Sequence, residues 1–196
     1  LSKRLGLLNV FIIMTLLLAA CGASSGKDIP DKTNWQLEEF SFINQDGEPF
    51  GLEDVKGDIT IASLIFTNCT TVCSPITANL AKLQRMSTGE GLNVHYLSFS
   101  VDPEVDSPEV LKEFGERFEA DFTKWNFLTG YTQKEIEEYG PKNFKTIVAK
   151  PKNGGEVVHG TSIYLIDKDG VIIKSYDGLD VPFEEIIDHL KILHAK

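Results

Sequence analysis

The sequence predicts a three-layer α/β domain, and three observations carry that expectation. Short apolar runs of strand character alternate with stretches whose apolar residues recur at helical spacing. The last part of the chain reads as an antiparallel strand pair followed by a helix. About 160 residues remain after the first 34, which suits one core rather than two.

Each element has its own signal. Phe40-Ser41-Phe42-Ile43, a turn at Asn44 to Gly47, and Pro49-Phe50-Gly51-Leu52 predict an N-terminal hairpin laid against the main sheet. The apolar run 59–66 predicts a buried strand. Ser74 suits a helix N-cap and Pro75 a first helical residue, with Ile76, Leu80 and Leu83 on one face to about Met86. Residues 94–101 alternate as a strand. Ser107-Pro108 opens a second helix to about Phe118, with Asp106 on the approach to it. A short strand at 125–128 and a helix at 132–138 follow. A hairpin over 145–158 turns at 151–155, and strands 161–166 and 171–176 pair around Asp167-Lys168-Asp169-Gly170. Residues 182–193 close the chain as a helix.

The first 34 residues have a different character. Lys3 and Arg4 precede a run from Leu5 to Leu18 broken only by Asn9 and Thr15, and Ala19-Ala20 supplies small residues for cleavage. Residues 1–20 therefore read as a signal peptide, too short for a comfortable membrane span and followed by no stop-transfer pattern. Leu18-Ala19-Ala20-Cys21-Gly22 resembles the lipobox of bacterial lipoproteins. That resemblance implies a lipid on Cys21 and a mature protein held at the extracytoplasmic face of the cell membrane; the plainer alternative is a secretory signal with a free thiol. Residues 21–34 then form the lipidated cysteine and a flexible, small and polar tether, and 35–196 the domain.

Nineteen basic against twenty-nine acidic residues give a net charge of −10, and loss of Lys3 and Arg4 with the leader takes it to −12. A surface this acidic argues against nucleic acid and against adhesion to anionic lipid, while it suits a cation or a basic patch on a partner. No internal repeat is present.

The chemistry centres on Phe66-Thr67-Asn68-Cys69-Thr70-Thr71-Val72-Cys73-Ser74-Pro75. Thiols four residues apart meet within one helical turn. At a strand-to-helix junction the positive helix end favours their thiolates, the reactive and metal-ligating form. The pair is thus placed either for electron exchange or for a soft metal.

With this cysteine pair after the first central strand, the chain resembles the Sco/SenC family of thioredoxin-fold copper proteins. The resemblance covers nearly the whole domain. It rests on Asp46-Gly47 to Leu52, Lys56-Gly57, the Phe66-to-Cys73 core, Ser100-Val101-Asp102-Pro103-Glu104, and His159 with Ser162, Tyr164-Leu165-Ile166-Asp167 and Gly170. One departure is Ser74 between Cys73 and Pro75, where the family usually has proline next to the second cysteine. The resemblance implies a thioredoxin-like fold with a central mixed sheet flanked by helices, and one copper ion ligated by Cys69, Cys73 and His159. Two thiolates suit Cu(I) and an imidazole also suits Cu(II), so such a set holds both oxidation states. On residue type alone His159 is a hydrogen-bonded residue at a hairpin exit. Asp102 is either a carboxylate orienting the copper ligands or simply the end of a strand in a turn. His95, His189 and His194 read as structural or solvated. Phe66, Phe99, Phe114, Phe118 and Phe127 read as core. Met14 leaves with the leader, so Met86 alone remains and a methionine-rich copper site is excluded.

The family resemblance implies a membrane-anchored copper metallochaperone that helps build the copper A centre in subunit II of cytochrome c oxidase. The alternative is an enzyme: an extracytoplasmic thiol-disulfide oxidoreductase reducing the subunit II cysteines through Cys69 and Cys73, or a peroxiredoxin-like peroxidase. Thioredoxin-like reductants usually carry C-x-x-C and a cis-proline opposite the thiols. Here the spacing is one residue longer and 159–162 contains no proline. A Cys69–Cys73 disulfide would destroy the site and make copper binding redox-gated.

Overall fold

The computed structural model describes residues 28–196; the leader, the lipobox with Cys21 and most of the tether lie outside this range. In chain order the strands are β1 (Trp35–Gln36), β2 (Ser41–Ile43), β3 (Pro49–Gly51), β4 (Ile59–Ile65), β5 (Val94–Ser100), β6 (Trp125–Leu128), β7 (Val148–Ala149), β8 (Val158–His159), β9 (Ser162–Ile166) and β10 (Val171–Asp177). The helices are α1 (Cys73–Gly89), α2 (Pro108–Glu116), α3 (Gln133–Phe144) and α4 (Phe183–His194). Among the described residues no helix is long and apolar enough to cross a membrane.

One six-stranded sheet has the order β1-β10-β9-β4-β5-β6. β4, β5 and β6 run parallel, while β9 is antiparallel to β4 and β10 to β9, so the sheet is mixed as expected. All seven residues of β4 are buried because helices cover both faces. Ile59, Ile61 and Ile65 join one core with Ile76, Leu80 and Leu83 of α1, Phe114 of α2 and Leu190 of α4. Ala62, Leu64 and Phe66 join the other with Ile136 and Phe144 of α3. Three layers follow directly from this period-two division of one strand. Phe99 and Phe127 are also buried, and Phe118 packs half-buried against the first core.

The β2–β3 hairpin is joined to the sheet just beyond β6, where Ile43 and Thr129 exchange backbone hydrogen bonds of 2.9 and 2.8 Å. The ordered body also starts earlier than Trp35. Ile29 is buried, and Thr33 donates its N–H to the Ile173 carbonyl and its hydroxyl to that of Ile172.

Helix ends depart from the sequence expectations by two residues or more in four places, one of them the end of α1, at Gly89 instead of about Met86. α1 starts at Cys73 with Val72 at the N-cap, so Ser74 lies inside the helix and caps nothing. α2 does begin under a Ser107 cap, but it stops at Glu116, two residues short of Phe118. α3 runs through Gly140-Pro141 to Phe144 instead of ending at 138. A Cβ at Gly140 would collide with the Val148 side chain, so this glycine serves the close approach of α3 to β7 rather than a helix end. The 145–158 hairpin shrinks to two residues per strand, and its second strand ends on His159.

Candidate metal centre

Three separate elements deliver the sulfur and nitrogen donors. β4 feeds the loop 66–72 that carries Cys69, the first turn of α1 carries Cys73, and the last residue of β8 is His159. Cys69 and Cys73 are free thiols, the first partly exposed and the second fully buried.

The two sulfurs meet at the open N-terminus of α1. The backbone N–H of Cys73 donates to Cys69 Sγ at 3.3 Å, and Thr71 Oγ1 stands 3.7 Å from the same sulfur. Burial opposes a thiolate on Cys69, but hydrogen bonds from the Cys73 thiol and from the backbone at Cys73, Thr71 and Val72 outweigh it, and its pKa falls below the ordinary thiol value. Cys73 goes the other way. Desolvation, aided by the neighbouring Cys69 sulfur, pushes its pKa well above normal. The expectation that the helix end favours both thiolates is therefore corrected: it holds for Cys69 and fails for Cys73, where loss of water dominates.

His159 completes the cluster. Its Nδ1 lies 2.8 Å from the Gly160 carbonyl, which can only accept, so that nitrogen carries the proton. Nε2 is then the bare lone pair, 3.5 Å from Cys73 Sγ. Burial lowers the imidazole pKa, which keeps the ring neutral and able to ligate. Gly160 is required where it stands, because a Cβ there would run into Thr146 Oγ1. Phe66 meets the imidazole edge-on, with centroids 5.6 Å apart.

Two carboxylates that the sequence did not single out hold the cysteine loop. Asp106, fully buried, accepts from Ser100 Oγ at 2.6 Å, from Thr67 Oγ1 at 2.5 Å and from the Thr67 backbone N–H. Its pKa is raised by desolvation even with these bonds in place. Glu156, from the loop between β7 and β8, accepts from the Thr70 N–H at 2.8 Å and from the Thr70 hydroxyl at 2.6 Å. It thereby clamps the hairpin of His159 to the loop of Cys69. Asp102, by contrast, accepts at Oδ1 from Lys150 Nζ at 2.7 Å, and Lys150 is shared with Glu104. Among the described residues Asp102 makes no hydrogen bond to Cys69, Cys73 or His159, and it is Asp106, four residues on, that holds the cysteine loop through Thr67.

The other histidines have partners elsewhere. His95 faces Asp58 and Lys124, His189 the Tyr176 hydroxyl, and His194 the carbonyls of Leu190 and Asn93. Two sulfurs and one neutral imidazole nitrogen form a soft donor set that fits copper in either oxidation state. Among the described residues no three His, Cys, Asp or Glu side chains are closed tightly enough to enclose an ion. Of the two sulfurs Cys69 is the partly exposed one and Cys73 the buried one.

Comparison with known proteins identifies the family and the fold. Residues 30–194 match the SCO1/SenC family model. A SCO1 protein homologue from Bacillus subtilis is 44% identical over 180 residues, covering 91% of this chain and 92% of its own. The crystal structure of a SCO1/SenC family lipoprotein from Bacillus anthracis matches with a TM-score of 0.83 at 49% identity, covering 85% of this chain and 99% of the other. BsSco, a Sco family cytochrome c oxidase assembly protein with a disulfide switch, matches with a TM-score of 0.78 at 44% identity over 85% and 98% of the two chains. The copper-bound ScoI of Bradyrhizobium japonicum gives 0.67 at 25% identity over 80% and 98%. With this thioredoxin-like fold and these matches across nearly its whole domain, the chain belongs to the SCO1/SenC family.

Proposed function

We propose that the protein is a copper metallochaperone, tethered to the extracytoplasmic face of the membrane through a lipid on Cys21. It carries one copper ion, as Cu(I) or Cu(II), on Cys69, Cys73 and His159 and passes it to the copper A centre of cytochrome c oxidase subunit II. The observation that carries this reading is His159, whose proton is fixed on Nδ1 by Gly160 and whose bare Nε2 points to Cys73 Sγ. A dithiol exchanger needs an attacking and a resolving sulfur and no imidazole. Membership of a family that includes a copper-bound ScoI and an oxidase assembly protein supports the same cargo and destination. The net charge of −10 favours contact with a basic face of the target.

A second reading has its own observation. Cys69 is accessible with a lowered pKa, and Cys73 is buried with a raised one. That asymmetry is the arrangement of an attacking thiol and a resolving thiol, and it supports reduction of the subunit II cysteines as the alternative act. Deleting the protein separates the two. Under the copper reading, oxidase that contains a copper A centre loses activity, quinol oxidases lacking that centre keep theirs, and added copper restores part of the loss. His159→Ala then fails to complement although both thiols remain oxidisable. Restoration by a membrane-permeant thiol but not by copper, with full complementation by His159→Ala, would select the reductase.

A further inference from the structure

Cys69 lies between two threonines, and each is bound by a carboxylate from elsewhere in the chain. Asp106 holds Thr67 from inside the protein. Glu156 holds Thr70 from outside it, on the exposed part of the hairpin that ends at His159. The two contacts differ in what they join. Asp106 ties the cysteine loop to Ser100 at the end of β5, whereas Glu156 ties it to the piece of chain that carries the imidazole.

The rest of that hairpin is fastened elsewhere. β7 is fixed to α3, since the Lys150 N–H donates to Glu137 at 2.8 Å and Val148 approaches closely over Gly140. β8 hangs on β7 by a ladder of two residue pairs, with Val157 buried beside it, and so short a ladder is a weak hold by itself. The turn between the strands is exposed and contains Gly154 and Gly155, with φ of +81° and +120°. Among the described residues, the hydrogen bonds joining 151–158 to the loop 66–72 all end on the Glu156 carboxylate. It accepts from the Thr70 N–H at 2.8 Å and from the Thr70 hydroxyl at 2.6 Å. These donors hold its pKa below the ordinary carboxylate value, so it stays charged.

Resting on the three-donor copper reading, we infer that Glu156 is a positioning residue for the imidazole: by closing the hairpin onto the cysteine loop it holds His159 beside the sulfur pair, and so sets how strongly the site favours Cu(II) over Cu(I). Loss of the carboxylate leaves both thiols in place and loosens only the nitrogen, the donor that the oxidised ion needs most. Copper titration of the reduced protein in each oxidation state tests this, together with amide hydrogen exchange of the metal-free protein. Glu156→Ala weakens Cu(II) about tenfold, the low end for a group that orients a metal ligand, and leaves Cu(I) within about twofold. In the metal-free protein the Thr70 N–H then exchanges about fivefold faster. Glu156→Gln loses the charge but keeps an acceptor oxygen, so it recovers most of the Cu(II) affinity. A loss in Glu156→Gln as large as in Glu156→Ala would mean that the charge acts at a distance, and would overturn the assignment. Unchanged Thr70 exchange, or unchanged Cu(II) affinity in Glu156→Ala while His159→Ala loses it, overturns the clamp and spares the three-donor centre. Wild-type Cu(II) affinity in His159→Ala removes the centre and the clamp's role with it.

Discussion

Cys69 stands on a partly exposed loop that reaches water, and four residues later Cys73 is sealed under the first turn of α1. Backbone N–H groups surround the first sulfur and stabilise its thiolate; apolar core surrounds the second and suppresses it. The difference shows how one short segment supplies both an entry point and an anchor. In the proposed copper role the accessible thiolate would meet an incoming ion or disulfide, and the buried thiol and its His159 neighbour would fix where the ion ends up. Neither role follows from the spacing alone, because both depend on which side of the helix N-terminus water can reach.

Removing either sulfur breaks the comparison most severely. Cys69→Ala and Cys73→Ala are each expected to abolish tight Cu(II) binding, as measured by titration of the reduced protein. A tightly bound Cu(II) in either variant would show that the other donors suffice. Next in size is the contrast in reactivity. Iodoacetamide applied to the native reduced protein should modify Cys69 and spare Cys73, with both labelled after unfolding, as read by peptide mass spectrometry. Equal labelling of the two in the native state would remove the asymmetry.

Asp106 tests what holds the two regions together. Asp106→Ala leaves the Ser100 and Thr67 hydroxyls and the Thr67 N–H without their acceptor, and should cost about 3 kcal/mol in denaturant unfolding. Asp102→Ala, which breaks one ion pair to Lys150 while Lys150 keeps Glu104, should cost less, about 1 kcal/mol. The reverse ranking would return the positioning role to Asp102.

The smallest effect is a slope with pH. Cys73, with its raised pKa, is protonated at neutral pH and must lose that proton to ligate, whereas His159, with its lowered pKa, is already neutral. Copper affinity should therefore rise with pH, about tenfold per unit for each proton released. Around neutral pH that proton comes from sulfur and not from the imidazole. A flat profile between about pH 6 and pH 8 would mean that both thiols are already ionised in the free protein.

The strand and the cysteine pair leave local marks in the sequence, whereas His159 stands out only through the family resemblance. The run 59–66 is apolar at every position except Thr60 and Ser63, and it is buried throughout. Ser74-Pro75 has the composition of a cap, yet the helix starts two residues earlier, at the buried Cys73 with Val72 at the N-cap. Gly140-Pro141 carries the signal of a helix end, but the glycine answers to Val148 across a layer. Asp106 and Glu156 lie 39 and 86 residues from the threonines they bind, a relation that the fold alone creates. Asp106 was visible only as a neighbour of the Ser107 cap.

The central claim is that His159 ligates copper together with the two thiols. Cu(II) titration of the reduced protein, followed by absorption, tests it most directly. The account predicts a thiolate-to-copper charge-transfer band that saturates at one ion per chain, and that His159→Ala loses Cu(II) affinity far more than Cu(I) affinity because the nitrogen donor matters most to the oxidised ion. Equal affinity of wild type and His159→Ala in both oxidation states would contradict the three-donor centre.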